Sequence, residues 1–169
     1  SPLLVSEGVK LTIQPGATVC FAPEAHLKIE GQLVAVGAET KRIQLIALAE
    51  NGRPWGGVRL SDSVEDNRLA HVDFHQTDSY ALSLNNSALT LDHVQWHGTT
   101  TNLIWFRDAS LTVRDSVFPR LEHSEHIRGV GIREGGELVF ERNQFGRTSG
   151  GNDIMDISGG KRPGAILQL

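Results

Sequence analysis

The chain has 169 residues, and its net charge of −4 comes from 20 acids and 16 bases with no long like-charge run, which argues against nucleic-acid partners and basic membrane-surface helices. With 39% hydrophobic residues it can build one domain with a real core, while a single cysteine, Cys20, excludes an internal disulfide framework and a Cys-based zinc cluster. No apolar run approaches the roughly 20 residues of a membrane helix, so no membrane insertion is expected.

In chain order, VKLTI (9–13), TVCFA (18–22), HLKIE (26–30), QLVAV (32–36), RIQLIA (42–47) and GVRLS (57–61) alternate or run apolar over four to six residues, and no stretch sustains helical spacing. The breaker clusters QPG, GAET and ENGRPWGG separate these strands. Asn51–Gly52 is the one good hairpin signal, and it sits in a longer loop, so hairpins do not organise the chain.

Repeats do. LAHVDF, LDHVQW, VRDSVF and FERNQF end at Phe74, Trp96, Phe118 and Phe145, which are 22, 22 and 27 residues apart. A second apolar column, Leu60, Leu84, Phe106, Ile132 and Ile157, keeps nearly the same phase. Short strands at this period suit a solenoid in which each coil pairs in parallel with the next, ~4.8 Å above it, around a shared interior. The segments PRLEHSEHIR (119–128) and RTSGG (147–151) read as loop insertions.

On GVKLTIQPGATVCF (8–21), LKIEGQLVAVG (27–37), RIQLIA (42–47), WGGV (55–58) and LTVRDSVF (111–118), the chain resembles the pectin-lyase-like right-handed parallel β-helix superfamily, with secreted bacterial β-helix repeat proteins in view. The resemblance covers almost the whole chain. It implies that Pro15–Gly16 turns the chain between coil faces, that Gly31 and Gly37 take positive φ, and that Trp55 covers an interior end. One departure is Arg42, where that family usually has proline.

Stacking turns columns into surface ladders. The position after each anchor gives Ser61, Asn85, Arg107, Arg133 and Ser158, and the next gives Asp62, Asn86, Asp108, Glu134 and Gly159. Such a charged ridge either carries the base, calcium ligands and substrate arginines of a polysaccharide-cleaving β-helix or is an alternating-charge face that keeps the sheet soluble. The structural reading is preferred. Before the anchors stand Arg59, Ser83, Trp105, Gly131 and Asp156. In that column Trp105 is either a sugar-stacking platform or packed beneath the 119–128 loop, the loop reading being preferred.

Asp153 and Asp156, beside Lys161 and Arg162, either bind Ca²⁺ with Glu134 or form a surface salt-bridge group with Arg133 and Lys161; the second is preferred. His71 with His93, and His75 with His97, are expected to stack on adjacent coils. They read as a turn ladder continued by Asp115 and Arg142, or as a Zn²⁺ or Cu²⁺ site with Asp73 or Asp92, the ladder being preferred. His123 and His126 read as solvated loop residues beside Glu122 and Glu125. No nucleophile motif or phosphate loop is evident, and Cys20 reads as a strand residue.

The sequence therefore predicts an all-β, single-stranded parallel β-helix of about seven coils, right-handed as the resemblance implies and in agreement with the general crossover preference. Residues 1–169 are expected to form one domain, cut from a longer chain at least at its C-terminal side, where the uncapped strand GAILQL is expected to self-associate. The expected role is an extracellular or cell-surface scaffold or recognition module of a bacterial envelope, without catalysis, presenting Trp105, Arg107 and Arg133 to a polysaccharide or another surface ligand and joined to further domains. The alternative is a polysaccharide lyase or glycoside hydrolase fragment drawing on Arg107, Asp108, Arg133, Glu134, Asp153 and Asp156. No cofactor is expected, with Ca²⁺ at Glu134, Asp153 and Asp156 as the alternative.

Overall fold

A computed structural model describes residues 2–48, 53–78, 80–99, 101–150, 153–161 and 163–169. Among them there is no helix, hence none long and apolar enough to cross a membrane. The Asn51–Gly52 signal and Arg162 lie outside the described residues.

Period-2 alternation sends every second side chain inward, so each short strand supplies one or two core residues and must stack on its neighbours to bury them. The first turn consists of Pro2–Val5, Lys10–Ile13 and Thr18–Phe21, and the second of His26–Ile29, Gln32–Val36 and Ile43–Ala47. Each strand pairs in parallel with its counterpart one turn on, giving three sheets. The first sheet continues through Val58–Ser61, Leu82–Asn85, the start of Ile104–Arg114, Ile127–Ile132 and Met155–Lys161. The second continues through Arg68–Ala70, Ala88–Asp92, the end of Ile104–Arg114, Glu137–Glu141 and Ile166–Gln168. The third ends at Gln144–Phe145. The result is a parallel β-solenoid of about six turns, with strands of the first two sheets following the sixth. The insertion adds a small parallel pair, Leu121–Glu122 with Thr148–Ser149.

Sharp corners between sheets are made by columns of left-handed residues. Asp62, Asn86, Asp108, Gly131 and Gly159 form one column, and His71, His93, Asp115 and Arg142 form another at φ of 50, 53, 49 and 53°. Asn, Asp and His tolerate this region better than other side chains. Gly16 also has positive φ, closing the expected Pro15–Gly16 turn with Ala17 N–H donating to Gln14 O. Gly31 and Gly37 are not left-handed. They are glycine because a Cβ at Gly31 would run into the Val9 and Ser6 carbonyls, and one at Gly37 into that of His71.

The interior holds a continuous stack of rings, Phe21, Trp55, Phe74, Trp96, Phe118 and Phe145, with successive centroids 4.1, 6.2, 6.1, 4.5 and 4.4 Å apart. The four predicted aromatics thus lie in one line. Trp55 is a member of that line and not the cover of an end. Phe21 pairs in register with Ala47, whose small side chain leaves room for the indole, and Trp55 Nε1–H donates to His75 O.

The second predicted column shifts at the sixth turn. Phe106 pairs with Gly129, and Ile132 pairs with Ala109 and, across a bulge, Lys161. A Cβ at Gly129 would collide with the Phe106 ring, which fills that space. Consequently Val130, not Arg133, follows Arg107 in its ladder, Gly131, not Glu134, follows Asp108, and Arg128, not Gly131, lies between Trp105 and Asp156.

Candidate functional site

The outward residues of the first sheet run Lys28, Arg59, Ser83, Trp105, Arg128 and Asp156, one per turn. Phe106 points inward and is fully buried, so the strand pleat sends its neighbour Trp105 to the surface. Beside it the loop between the third and first sheets delivers Tyr80, whose ring lies 6.5 Å from that of Trp105 at a 49° tilt. Gly56, Arg59, Asp78, Tyr80, Ser83 and Trp105 line an open cavity of about 280 Å³. The Arg107 guanidinium lies over the same indole, 5.8 Å from the ring centre and within cation–π range. Trp105 therefore lines a groove against Tyr80, with Arg128, the last residue of the 119–128 segment, beside it one turn on.

The other predicted site residues divide into two places. Asp108, Arg133 and Glu134 meet Asn86 around a second cavity of about 370 Å³: Ile132 pairs with Ala109 and Leu138 with Leu111, so the chain from Arg133 to Gly136 forms a turn, closed by Gly136 N–H donating to Arg133 O, beside the corner that Asp108 occupies. Asp156 lies elsewhere, one turn beyond Arg128 and 3.6 Å from its guanidinium, and Asp153 is exposed. Among the described residues, two groups of three side chains gather potential metal-ligand atoms within 4.8 Å of one another, Asp73–His75–His97 and Asp92–His93–Asp115, and neither contains Glu134, Asp153 or Asp156.

The third sheet's outer face and the adjoining corner carry the histidines. His71 stacks on His93 with ring centroids 4.6 Å apart, and His75 on His97 at 4.7 Å, as the repeat predicts. Asp115 and Arg142 do continue the first of these columns, joined by bonds of 2.8 and 2.7 Å from Arg142 to both carboxylate oxygens, which hold Asp115 below the usual carboxylate range.

Between the histidine columns Asp73 is buried. Arg42 donates to it from Nε (2.9 and 3.0 Å) and Nη2 (2.6 Å), and Gln44 Nε2 donates at 2.7 Å. Burial works to raise the Asp73 pKa, but these bonds and the Arg42 charge outweigh it and the carboxyl is held low. Arg42 Nη2 also donates to His93 O at 2.7 Å, so one guanidinium ties together three successive turns. His75 Nε2 hydrogen-bonds Gln44 Oε1 at 2.7 Å, and its pKa is lowered by burial and by the proximity of His97. Repeat counting did not find this clamp. Its one sequence signal was the arginine at a position where the resembled family carries proline.

His126 is fully buried, contrary to the solvated reading. Its ring lies edge-on to Phe118 and Phe145, at 5.7 and 5.6 Å, and its Nε2–H donates to Pro119 O, while Nδ1 has no partner.

No family model matches this chain, and no solved structure matches it. Over 41 residues it is 56% identical to Protein bark beetle of Drosophila melanogaster, a stretch covering 24% of this chain and 1% of that protein. The chain thus spans a very small part of a relative that is thousands of residues long.

Proposed function

We propose that this chain is an extracellular or cell-surface recognition module, a non-catalytic β-helix of the pectin-lyase-like, right-handed kind, that binds glycan along the outer face of its first sheet. The observation that carries the reading is the groove in which the half-exposed Trp105 meets Tyr80, Arg59, Asp78 and Ser83. An aromatic face accepts the apolar side of a sugar ring, and the surrounding guanidinium, carboxylate and hydroxyl groups hydrogen-bond its hydroxyls. Arg107, two residues on along the same strand, and Arg128, one turn on along the solenoid axis, extend that surface. Rigid strands position these groups, which lowers the ordering cost of binding. The partial match to a very long animal protein supports a module embedded among further domains. The test is a glycan array followed by calorimetry with the best-bound oligosaccharide. Trp105→Ala is expected to weaken binding at least tenfold with unchanged circular dichroism. Absence of glycan binding, or equal binding by the variant, sinks the reading.

A second reading, a polysaccharide lyase or glycoside hydrolase fragment, is favoured by the cavity that gathers Asn86, Asp108, Arg133 and Glu134. Release of oligosaccharides from acidic or neutral polysaccharides, abolished by Asp108→Asn or Glu134→Gln, would replace the first reading with this one.

A further inference from the structure

We infer that Asp73, His75 and His97 form a binding site for a divalent transition-metal ion of the zinc or copper class, on the outer face of the third sheet and away from the Trp105 groove. The three side chains come from two adjacent turns held in register, Asp73 opposite Gln95 and His75 opposite His97. Asp73 and His75 are two residues apart on one strand, so the pleat sends both to the same face. Each offers one ligand atom, and these atoms lie within 4.8 Å of one another. His97 Nε2 is 3.8 Å from Asp73 Oδ1. Around a tetrahedral ion with bonds of roughly 2.0–2.2 Å, ligand atoms sit roughly 3.4 Å apart, so closure needs shifts of a few tenths of an ångström to about an ångström.

The donor set decides the class of ion. Two imidazoles and one carboxylate suit Zn²⁺ or Cu²⁺, whereas Ca²⁺ and Mg²⁺ want several oxygens. Outer-sphere support is present. Gln44 donates to the carboxylate at 2.7 Å and accepts from the His75 ring at 2.7 Å, which orients two of the three ligands before any ion arrives. Arg42 opposes the cation and sets the affinity well below that of a dedicated zinc site. The Asp73 Oδ1 that lies 3.8 Å from His97 Nε2 also accepts from Arg42 Nη2 at 2.6 Å, so an ion bound there shares this oxygen with the guanidinium or displaces it. The competing group is poorer for this class of ion: it has one imidazole, His93, already hydrogen-bonded to Asp92 at 2.6 Å, and its other two donors are carboxylates. An ion at Asp73, His75 and His97 would bridge the third and fourth turns from outside, where the rings now only stack.

The experiment is calorimetric titration of the whole chain with ZnCl₂, CuCl₂ and CaCl₂, together with Co²⁺ absorption spectroscopy, on the native protein and on His97→Ala, His75→Ala and His93→Ala. His97 is exposed, so its removal tests the site without threatening the fold. Micromolar binding of one ion per chain, weakened at least tenfold in His97→Ala and His75→Ala and unchanged in His93→Ala, is expected, with a Co²⁺ spectrum of mixed nitrogen and oxygen ligation. Absence of binding, equal binding by His97→Ala, or loss only in His93→Ala overturns the assignment. Preference for Ca²⁺ over Zn²⁺ at the same residues overturns the class of ion.

Discussion

Gly129 sits directly against the ring of Phe106, in register one turn away, in the space that its own side chain would need. The two residues behave as one core unit, a large ring and a hydrogen sharing a slot that elsewhere in the column holds two leucines, Leu60 and Leu84. Gly129→Ala is expected to destabilise the fold by about 1–3 kcal/mol through overpacking. Combining it with Phe106→Leu should recover part of that loss, because the shorter side chain vacates the slot. Urea denaturation of both single variants and the double variant measures the coupling, and strict additivity would contradict the shared slot.

Phe118 lies between Trp96 and Phe145 in the ring stack and also meets the edge of His126. Truncation to alanine leaves a cavity bounded by three rings on rigid strands, so Phe118→Ala should cost about 3–5 kcal/mol. Chemical denaturation against the native chain gives the value. A cost under about 1 kcal/mol would mean that the neighbouring rings collapse into the gap.

His126 makes stability depend on pH. Its pKa is lowered by burial, with Pro119 O only partly opposing the shift, so the folded chain takes up this proton at lower pH than the unfolded chain, whose imidazole titrates near 6.5. The unfolded state therefore binds more protons as pH falls below about 6.5, and stability declines until the folded pKa is passed. Replacement by an apolar residue of similar bulk, His126→Leu, should make the decline between pH 7.5 and 5 shallower. Denaturation midpoints at several pH values compare the slopes, and identical slopes would exclude His126 as a contributor.

Removing the Arg42 guanidinium leaves the buried Asp73 with Gln44 as its remaining close side-chain donor and frees the His93 carbonyl. Arg42→Ala is expected to cost about 3–5 kcal/mol, the range for breaking one partner of a buried pair. The double variant Arg42→Ala, Asp73→Asn should be less destabilised than Arg42→Ala alone, since the stranded charge is gone. Thermal denaturation at neutral pH checks both.

The aromatic line was legible because one large ring recurs per turn at the end of a short strand, and rings announce themselves in a sequence. Gly129 was not legible for the opposite reason. A search for apolar anchors passes over glycine and stops at Ile132, three residues on, which displaced Arg133 and Glu134 by the same step. The clue was Phe106 itself, since a ring larger than the leucines before it needs a smaller neighbour after it. The stacked histidines followed from the repeat, whereas Arg42 reaches Asp73 from 31 residues earlier, a distance at which no local pattern links them. Trp105 was identifiable by pleat parity alone. Its partners Tyr80 and Asp78 enter from a loop, where the repeat gives no register.

The three tryptophans occupy unlike surroundings, and this makes the molecule its own optical reporter. Trp55 and Trp96 are sealed within the ring stack, so their emission and near-ultraviolet dichroism follow the integrity of the interior. Trp105, half-open to water and flanked by a guanidinium, emits from the outer wall and responds to what settles there. With Trp105 replaced, the remaining signal tracks unfolding alone; with it retained, quenching or a spectral shift at constant dichroism separates an event at the groove from a change in the fold.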